Sequence, residues 1–195
     1  MCIRDSNART LEVKEEERKH IDDLFLLTMK PVIYVCNVDE KSAISGNNHV
    51  DAVKESLTGK DAEILLIAGL VEAEIAELEN RDDRIAFLQD AGLSEPGVDK
   101  MIRTAYKMLN LQTFFTVGPK EIRAWTIKKG MTAPQASGVI HSDLERGFIR
   151  AEVMRYNDFV TLGSEHACRE AGKFFIEGKN YVVVDGDILH IRFNV

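Results

Sequence analysis

Two short, unbroken apolar runs constrain this chain more than any other feature: Pro31-Val32-Ile33-Tyr34-Val35-Cys36, and residues 64–70, the second overlapping a strand-like stretch at 63–68. A strand wetted on one face alternates polar and apolar residues. A run without alternation reads as a strand covered on both faces. Between the runs, a loop rich in Asn, Ser and Gly (42–48) leads into a short helical stretch at 50–57, stopped near Gly59. Strand, helix and strand at this spacing predict a βαβ unit with parallel strands and a right-handed crossover.

Upstream, residues 11–29 carry a helical pattern (Val13, Ile21, Leu24, Phe25, Leu27) that Pro31 ends. The first six residues, Met1 to Ser6, share no periodicity with it and are set aside as an artefactual start. Downstream, three helices are expected at 72–79, 81–91 and 97–109, the last begun by Ser94 and Pro96. Near Leu111 the rhythm changes. Two strands, 113–117 and 122–127, are joined by Gly118-Pro119-Lys120 and read as a hairpin. Thr132 and Pro134 start a helix towards His141, followed by a strand at 147–155 and a helix at 164–173. A closing hairpin is expected from 181–184 and 188–193 around Asp185-Gly186. Strands, a helix and returning strands within this length predict a small α+β, β-grasp-like domain after a boundary near 110.

Charge narrows the partners only slightly. Residues 1–110 hold 14 Lys/Arg against 22 Asp/Glu, and residues 111–195 hold 11 against 10. The acidic first part is no general nucleic-acid surface, whereas the near-neutral second part has room for a local basic patch. No apolar run is long enough to cross a bilayer, and no secretory h-region follows the N-terminus. Cys2, Cys36 and Cys168 lack the spacing of a zinc site or disulfide framework, so a cytoplasmic protein is expected.

Asn37-Val38-Asp39-Glu40 follows the first run directly, and the carboxyl ends of strands are where open α/β sheets bind ligands. The Asn amide offers a donor and an acceptor, which suits a purine edge. On the residues alone, an Asn that satisfies a turn at a strand end is the commoner case. The longer string, Leu27-Thr28-Met29-Lys30-Pro31 through Glu40, closely resembles the segment of YchF (Obg-like ATPase) proteins that carries an Asn-x-x-Glu motif. Related GTPases have Asn-Lys-x-Asp there, with the Asp carboxylate pairing to guanine. Val38 and Glu40 stand where that Lys and Asp would be, so the resemblance implies adenine over guanine. It further implies that Asn37 meets the base edge, that Val38 offers its backbone and an apolar contact, and that the backbone of Ala68-Gly69-Leu70 faces the base. The resemblance extends through Glu95-Pro96-Gly97, Tyr106 to Thr116, Ala124-Trp125-Thr126-Ile127, Ala133-Pro134-Gln135-Ala136, Ile140-His141-Ser142-Asp143, Gly147 to Ala151, Asp185-Gly186-Asp187 and Phe193-Asn194-Val195. It therefore covers residues 11–195.

The implied fold is α/β: a partial P-loop NTPase (Ras-like G domain) sheet at 31–110, then a β-grasp TGS domain at 111–195. Residues 1–30 supply the end of a helical segment. The implied protein binds and hydrolyses ATP with Mg²⁺ and belongs among GTP-binding-protein relatives. It associates with the ribosome and its rRNA, contacts no membrane, and is monomeric. The alternative is a non-enzymatic TGS-type module that binds RNA or protein. No Gly-x-x-x-x-Gly-Lys-Ser/Thr occurs, because the Gly-Lys pairs at 59–60, 172–173 and 178–179 precede Asp61, Phe174 and Asn180. Neither a phosphate cradle nor Mg²⁺ ligands are therefore expected, and the chain alone should neither hydrolyse ATP nor hold it tightly. His141, Asp143, Glu145 and Arg150 read as positioning groups rather than an acid–base site, and Trp125 reads as core.

Overall fold

A computed structural model describes residues 8, 12–58, 62–118 and 121–194. The first six residues, expected to be an artefactual start, the beginning of the first helix at Leu11, the stop at Gly59, Pro119-Lys120 and Val195 fall outside these residues. The chain divides into two compact units, Met1–Met108 and Leu109–Val195.

In the first unit, β1 (Ile33–Asn37) and β2 (Glu63–Ile67) pair in parallel, with Asn37 opposite Ile67 at their carboxyl ends. Helix α3 (Asn48–Ser56) makes the connection. The side chain of Asn47 starts it by accepting from the His49 and Val50 N–H groups at 3.0 and 3.2 Å. Past β2 come α4 (Gly69–Glu77), α5 (Arg81–Asp90) and α6 (Gly97–Met108). Ala43, Ala68, Val71, Ile75 and Leu88 form the buried core.

Three expectations for this unit are corrected. The first helix, α1, spans only Glu15–Asp22, and a 3₁₀ turn at Leu27–Met29 precedes Pro31. Leu24, Phe25 and Leu27 are 63, 80 and 78% exposed, so no packing holds the helix together beyond Asp22. Phe25 has φ +47°, which breaks the helical path. The strands are not covered on both faces: Val35 is exposed, and Cys36 is half-buried rather than core. The supposed loop at 42–48 contains a short helix, α2 (Ser42–Ser45).

The second unit is built on five strands: β3 (Leu111–Val117), β4 (Ile122–Lys128), β5 (Phe148–Arg155), β6 (Phe174–Glu177) and β7 (Asp187–Phe193). Their order is β4-β3-β7-β5-β6, with β3 and β7 parallel and the other pairs antiparallel. Helix α7 (Ala133–Ile140) covers one face over Phe114, Ile127, Ala151, Val153 and Leu189. Its start is fixed by Gln135, whose Oε1 accepts from the Thr132 N–H at 2.9 Å, with Pro134 in the first turn. On the opposite face, Met154, Cys168 and Ile188 pack with Phe159 and Phe174. Full burial of each large apolar side chain contributes about 1.5–3 kcal/mol, and truncating Phe114 to Ala would cost about 3–5 kcal/mol.

The closing hairpin does not form. Residues 181–184 make one isolated bridge, Thr132 to Val182, and β7 pairs instead with β5 and β3. The cause is the fully buried Asp187 carboxylate. Its Oδ2 accepts from the Val184 N–H at 2.8 Å and the Tyr181 hydroxyl at 2.7 Å, and its Oδ1 from Arg155 at 2.5 Å. The rest of this backbone is engaged elsewhere, since Val183 N–H donates to the Met131 carbonyl at 3.0 Å, the Tyr181 carbonyl accepts from the Ala133 N–H at 2.8 Å and the Val183 carbonyl accepts from Gln112 at 2.7 Å, so no ladder runs to β7. Helices α8 (Ser142–Arg146) and α9 (Tyr156–Leu162) and strand β6 were not expected, and α10 ends early (Glu165–Glu170). Gly172, at φ +69°, turns the chain there so that Lys173 N–H reaches the Cys168 carbonyl at 2.8 Å.

Candidate functional site at the carboxyl ends of the parallel strands

The parallel register brings the ends of β1 and β2 side by side, so the loops after Asn37 and after Ile67 leave one edge together. A hydrogen bond joins them: Asn37 Oδ1 accepts from the Gly69 N–H at 3.0 Å. Only the carbonyl end of an amide accepts, so this contact fixes the flip and turns Nδ2 outward as a donor. Among the described residues, Nδ2 has no hydrogen-bond partner. Gly69 permits the approach, since a Cβ there would lie 3.1 Å from Asn37 Oδ1. Val38 N–H donates to the Ile67 carbonyl at 2.9 Å, a second tie between the loops.

The remaining candidates divide between core and surface. Ala68 is 3% exposed and belongs to the core, leaving its backbone as the part able to meet a ligand. Val38 packs against the same cluster. Leu70, in the first turn of α4, is 76% exposed. Glu40 is exposed, and its carbonyl accepts from the Ala43 N–H at 3.1 Å. The first-turn N–H groups of α4 have no intrahelical partners, so this edge favours electronegative atoms.

Asp39 and Ser42 were not among the sequence candidates. Asp39 Oδ1 accepts from the N–H of Ser42, the first residue of α2, at 2.9 Å and so ties the loop carrying Glu40 to that helix. Hydrogen bonds from the Ser42 side chain and backbone hold the Asp39 carboxyl below the usual carboxylate range. An Asp three residues before the N–H it caps was the available signal. Glu72 lies in the first turn of α4, and its carboxylate accepts from the Gly97 N–H at 2.6 Å, which is a structural role.

The four polar residues of the second unit do not assemble a reactive centre. His141 Nδ1 accepts from the Asp143 N–H at 3.2 Å and caps α8, while Asp143 pairs with Arg146. Arg150 faces Glu152 instead. Trp125 packs beside the core, donates to Thr116 Oγ1 at 3.0 Å, and lies 4.2 Å under the Arg123 guanidinium. Among the described residues, no group of three or more His, Cys, Asp or Glu could hold a metal ion. No helix among them is long and apolar enough to cross a membrane.

A parallel pair with joined carboxyl-end loops, followed by a mixed five-stranded sheet, is a mixed α/β chain of a kind already seen in solved structures. The YchF GTPase of Schizosaccharomyces pombe superposes with a TM-score of 0.81 at 34% identity, over 96% of this chain and 50% of that one. Residues 111–194 match the family model YchF-GTPase_C, described as a protein of unknown function (DUF933). The Ribosome-binding ATPase YchF of Bacillus subtilis is 48% identical over 190 residues, which is 96% of this chain and 52% of the relative. Obg-like ATPase 1 of Rattus norvegicus is 42% identical over 193 residues, 97% of this chain and 46% of the relative. The chain belongs to the YchF/Obg-like ATPase family, and it spans about half the length of the curated relatives it matches.

Proposed function

We propose that the chain is the C-terminal part of an ATP-binding and ATP-hydrolysing protein that associates with the ribosome, and that it supplies the base-reading half of the nucleotide site. In this reading, residues 31–110 complete a P-loop G-domain sheet and residues 111–195 form a TGS domain. The β4-β3-β7-β5-β6 order, with the first and last strands of the unit parallel and adjacent, supports a β-grasp. The names of the relatives support the ATPase and ribosome assignments.

The observation that carries the nucleotide reading is the Asn37 Oδ1 to Gly69 N–H bond at 3.0 Å. It pre-sets the amide so that Nδ2 donates to an acceptor on the purine edge, such as N7, and no reorganisation is needed on binding. The first-turn N–H groups of α4 and the backbone of Ala68 lie beside it. Glu40, one methylene longer than Asp, cannot keep both carboxylate contacts to guanine N1–H and the 2-amino group. A buried polar group left unmatched costs about 1–3 kcal/mol, so adenine is preferred. The residues present fit the base. No Gly-x-x-x-x-Gly-Lys-Ser/Thr loop is available to hold the phosphates or the Mg²⁺ that supplies charge neutralisation in phosphoryl transfer.

The test is ATP affinity of this chain joined to the N-terminal half of the Bacillus subtilis relative. Asn37→Ala should weaken ATP about 10-fold or more, in line with about 1–3 kcal/mol for the lost pair. Unchanged affinity would remove Asn37 from the base site.

A further inference from the structure

We infer that the exposed end of the second unit's sheet, where Arg150, Arg169 and Arg192 converge over the buried Glu152 carboxylate, docks the phosphate backbone of RNA. Glu152 sits on β5 with its side chain only 7% exposed. Arg192, from β7, donates to both of its oxygens at 3.1 and 3.0 Å. Arg150 approaches from β5 at 3.7 Å and Arg169 from α10 at 3.9 Å. A carboxylate buried between two neighbouring strands gathers three cations from three elements onto one face.

What those cations offer outward matters most. Their side chains are 50, 50 and 58% exposed for Arg150, Arg169 and Arg192. Arg192 commits one edge of its fork to Glu152 and keeps its other N–H groups. Arg169 is held by Glu165 at 2.9 Å and lies flat, 3.7 Å above the Phe174 ring. Arg150 donates no hydrogen bond to any described residue. Three guanidinium groups face two carboxylates, Glu152 and Glu165, and one of these is sealed beneath them. His190, paired with Glu152 across the strands, lies between, with Nε2 3.4 Å from Glu165 and without a hydrogen bond. Glu170 lies beside Arg169 on α10, so what the surface offers is not excess charge but exposed, pre-oriented planar forks, which match phosphate oxygens better than ammonium groups would.

Ile176 on β6, opposite Glu152 and 64% exposed, adds an apolar contact beside the arginines. Planar cations at the exposed end of the sheet, with an apolar neighbour, suit an extended strand of RNA. The choice of RNA over an acidic protein rests on the proposed ribosome association.

The experiment titrates the 195-residue chain with a short fluorescein-labelled RNA hairpin by anisotropy over a KCl series. Arg150→Gln removes a guanidinium whose described partner is Glu152 at 3.7 Å, an ion pair without a hydrogen bond, and Arg192 still holds that carboxylate, so folding should persist and is checked by Trp125 emission. It should weaken binding about fivefold and lower the salt slope by about 0.7–0.9, the share of one phosphate contact. Arg150→Lys should restore the slope, and Arg18→Gln in the first unit should change neither. Unchanged affinity and slope in both Arg150→Gln and the Arg150→Gln/Arg169→Gln double variant would overturn the inference. So would displacement of the hairpin by polyglutamate at equal charge. Ribosome co-sedimentation separates the two claims. Equal pelleting of wild type and Arg150→Gln refutes the surface while association stands. Arginine-dependent hairpin binding without pelleting of the wild type supports the surface and refutes association.

Discussion

Replacing Asp187 with Ala should strip the second unit of a large part of its stability. The side chain is fully buried and accepts from the Tyr181 hydroxyl, the Val184 N–H and Arg155. Arg155 is 41% exposed and can turn to water once its partner is gone. The Tyr181 hydroxyl and Val184 N–H, both part-buried, lose their acceptor. At about 1–3 kcal/mol for each buried group left unpaired, and less for a part-buried one, the loss should be about 3 kcal/mol. That agrees with the cost of breaking a buried ionic pair from one side. Trp125 is the chain's single tryptophan and packs on the second unit's core, so its emission during urea unfolding reports that unit alone. Asp187→Asn, which keeps an acceptor and loses the charge, should lose about half as much. A loss below about 1 kcal/mol for Asp187→Ala would refute the claim that this carboxylate replaces a terminal hairpin.

The same loop predicts an alkaline signature. Burial, the Asp187 hydrogen bond and the Asp187 charge push the Tyr181 phenol well above its ordinary value. The neutral phenol is favoured by the fold, so its contribution is complete below about pH 10 and falls as pH rises further; Tyr181→Phe should flatten that slope in urea titrations. Arg192→Met should destabilise the second unit, because it leaves Glu152 buried beside weaker partners, whereas Arg150→Gln should cost far less. Hydrogen bonding and charge from Arg192 hold the Glu152 carboxyl below its usual range. Its contribution is therefore present above the ordinary carboxylate value and is lost as pH falls through the lowered one, and Arg192→Met should blunt this acid dependence. Residues 1–110 expressed alone should aggregate, since Leu24, Phe25, Leu27, Val35, Ile44 and Leu70 are exposed. A monomeric product that unfolds cooperatively would contradict this.

Much of the architecture is legible wherever local pattern and tertiary role agree. The runs around Ile33 and Leu65 are parallel strands, and α6 begins at Gly97 as expected, although Pro96 rather than Ser94 stands at its start, its carbonyl accepting from the Lys100 N–H at 3.3 Å. Pattern misleads where a single side chain redirects the backbone. Asp185-Gly186 has the composition of a hairpin turn, but buried Asp187 takes the Val184 N–H that a hairpin would use. Asp185 itself accepts from the Thr113 N–H at 2.8 Å. Strand β6 (Phe-Phe-Ile-Glu) is too short for alternation to distinguish it from the end of a helix. At the candidate site, Asn37 stands out from the sequence by its place after a strand. Its bond to Gly69 does not, because 32 residues separate the partners and only the parallel register brings them together. The cluster on Glu152 is likewise invisible in sequence, since its arginines come from two strands and a helix.

The most direct measurement is nucleotide choice in the chain joined to a relative's N-terminal half. ATP and GTP affinities would be compared for the natural Asn37-Val38-Asp39-Glu40 loop and for the Val38→Lys/Glu40→Asp double variant. The account predicts ATP preference for the natural loop and a shift towards GTP in the variant, by about 10-fold or more, for one carboxylate pair regained. A natural loop that prefers GTP, or a variant whose ratio does not move, would contradict it.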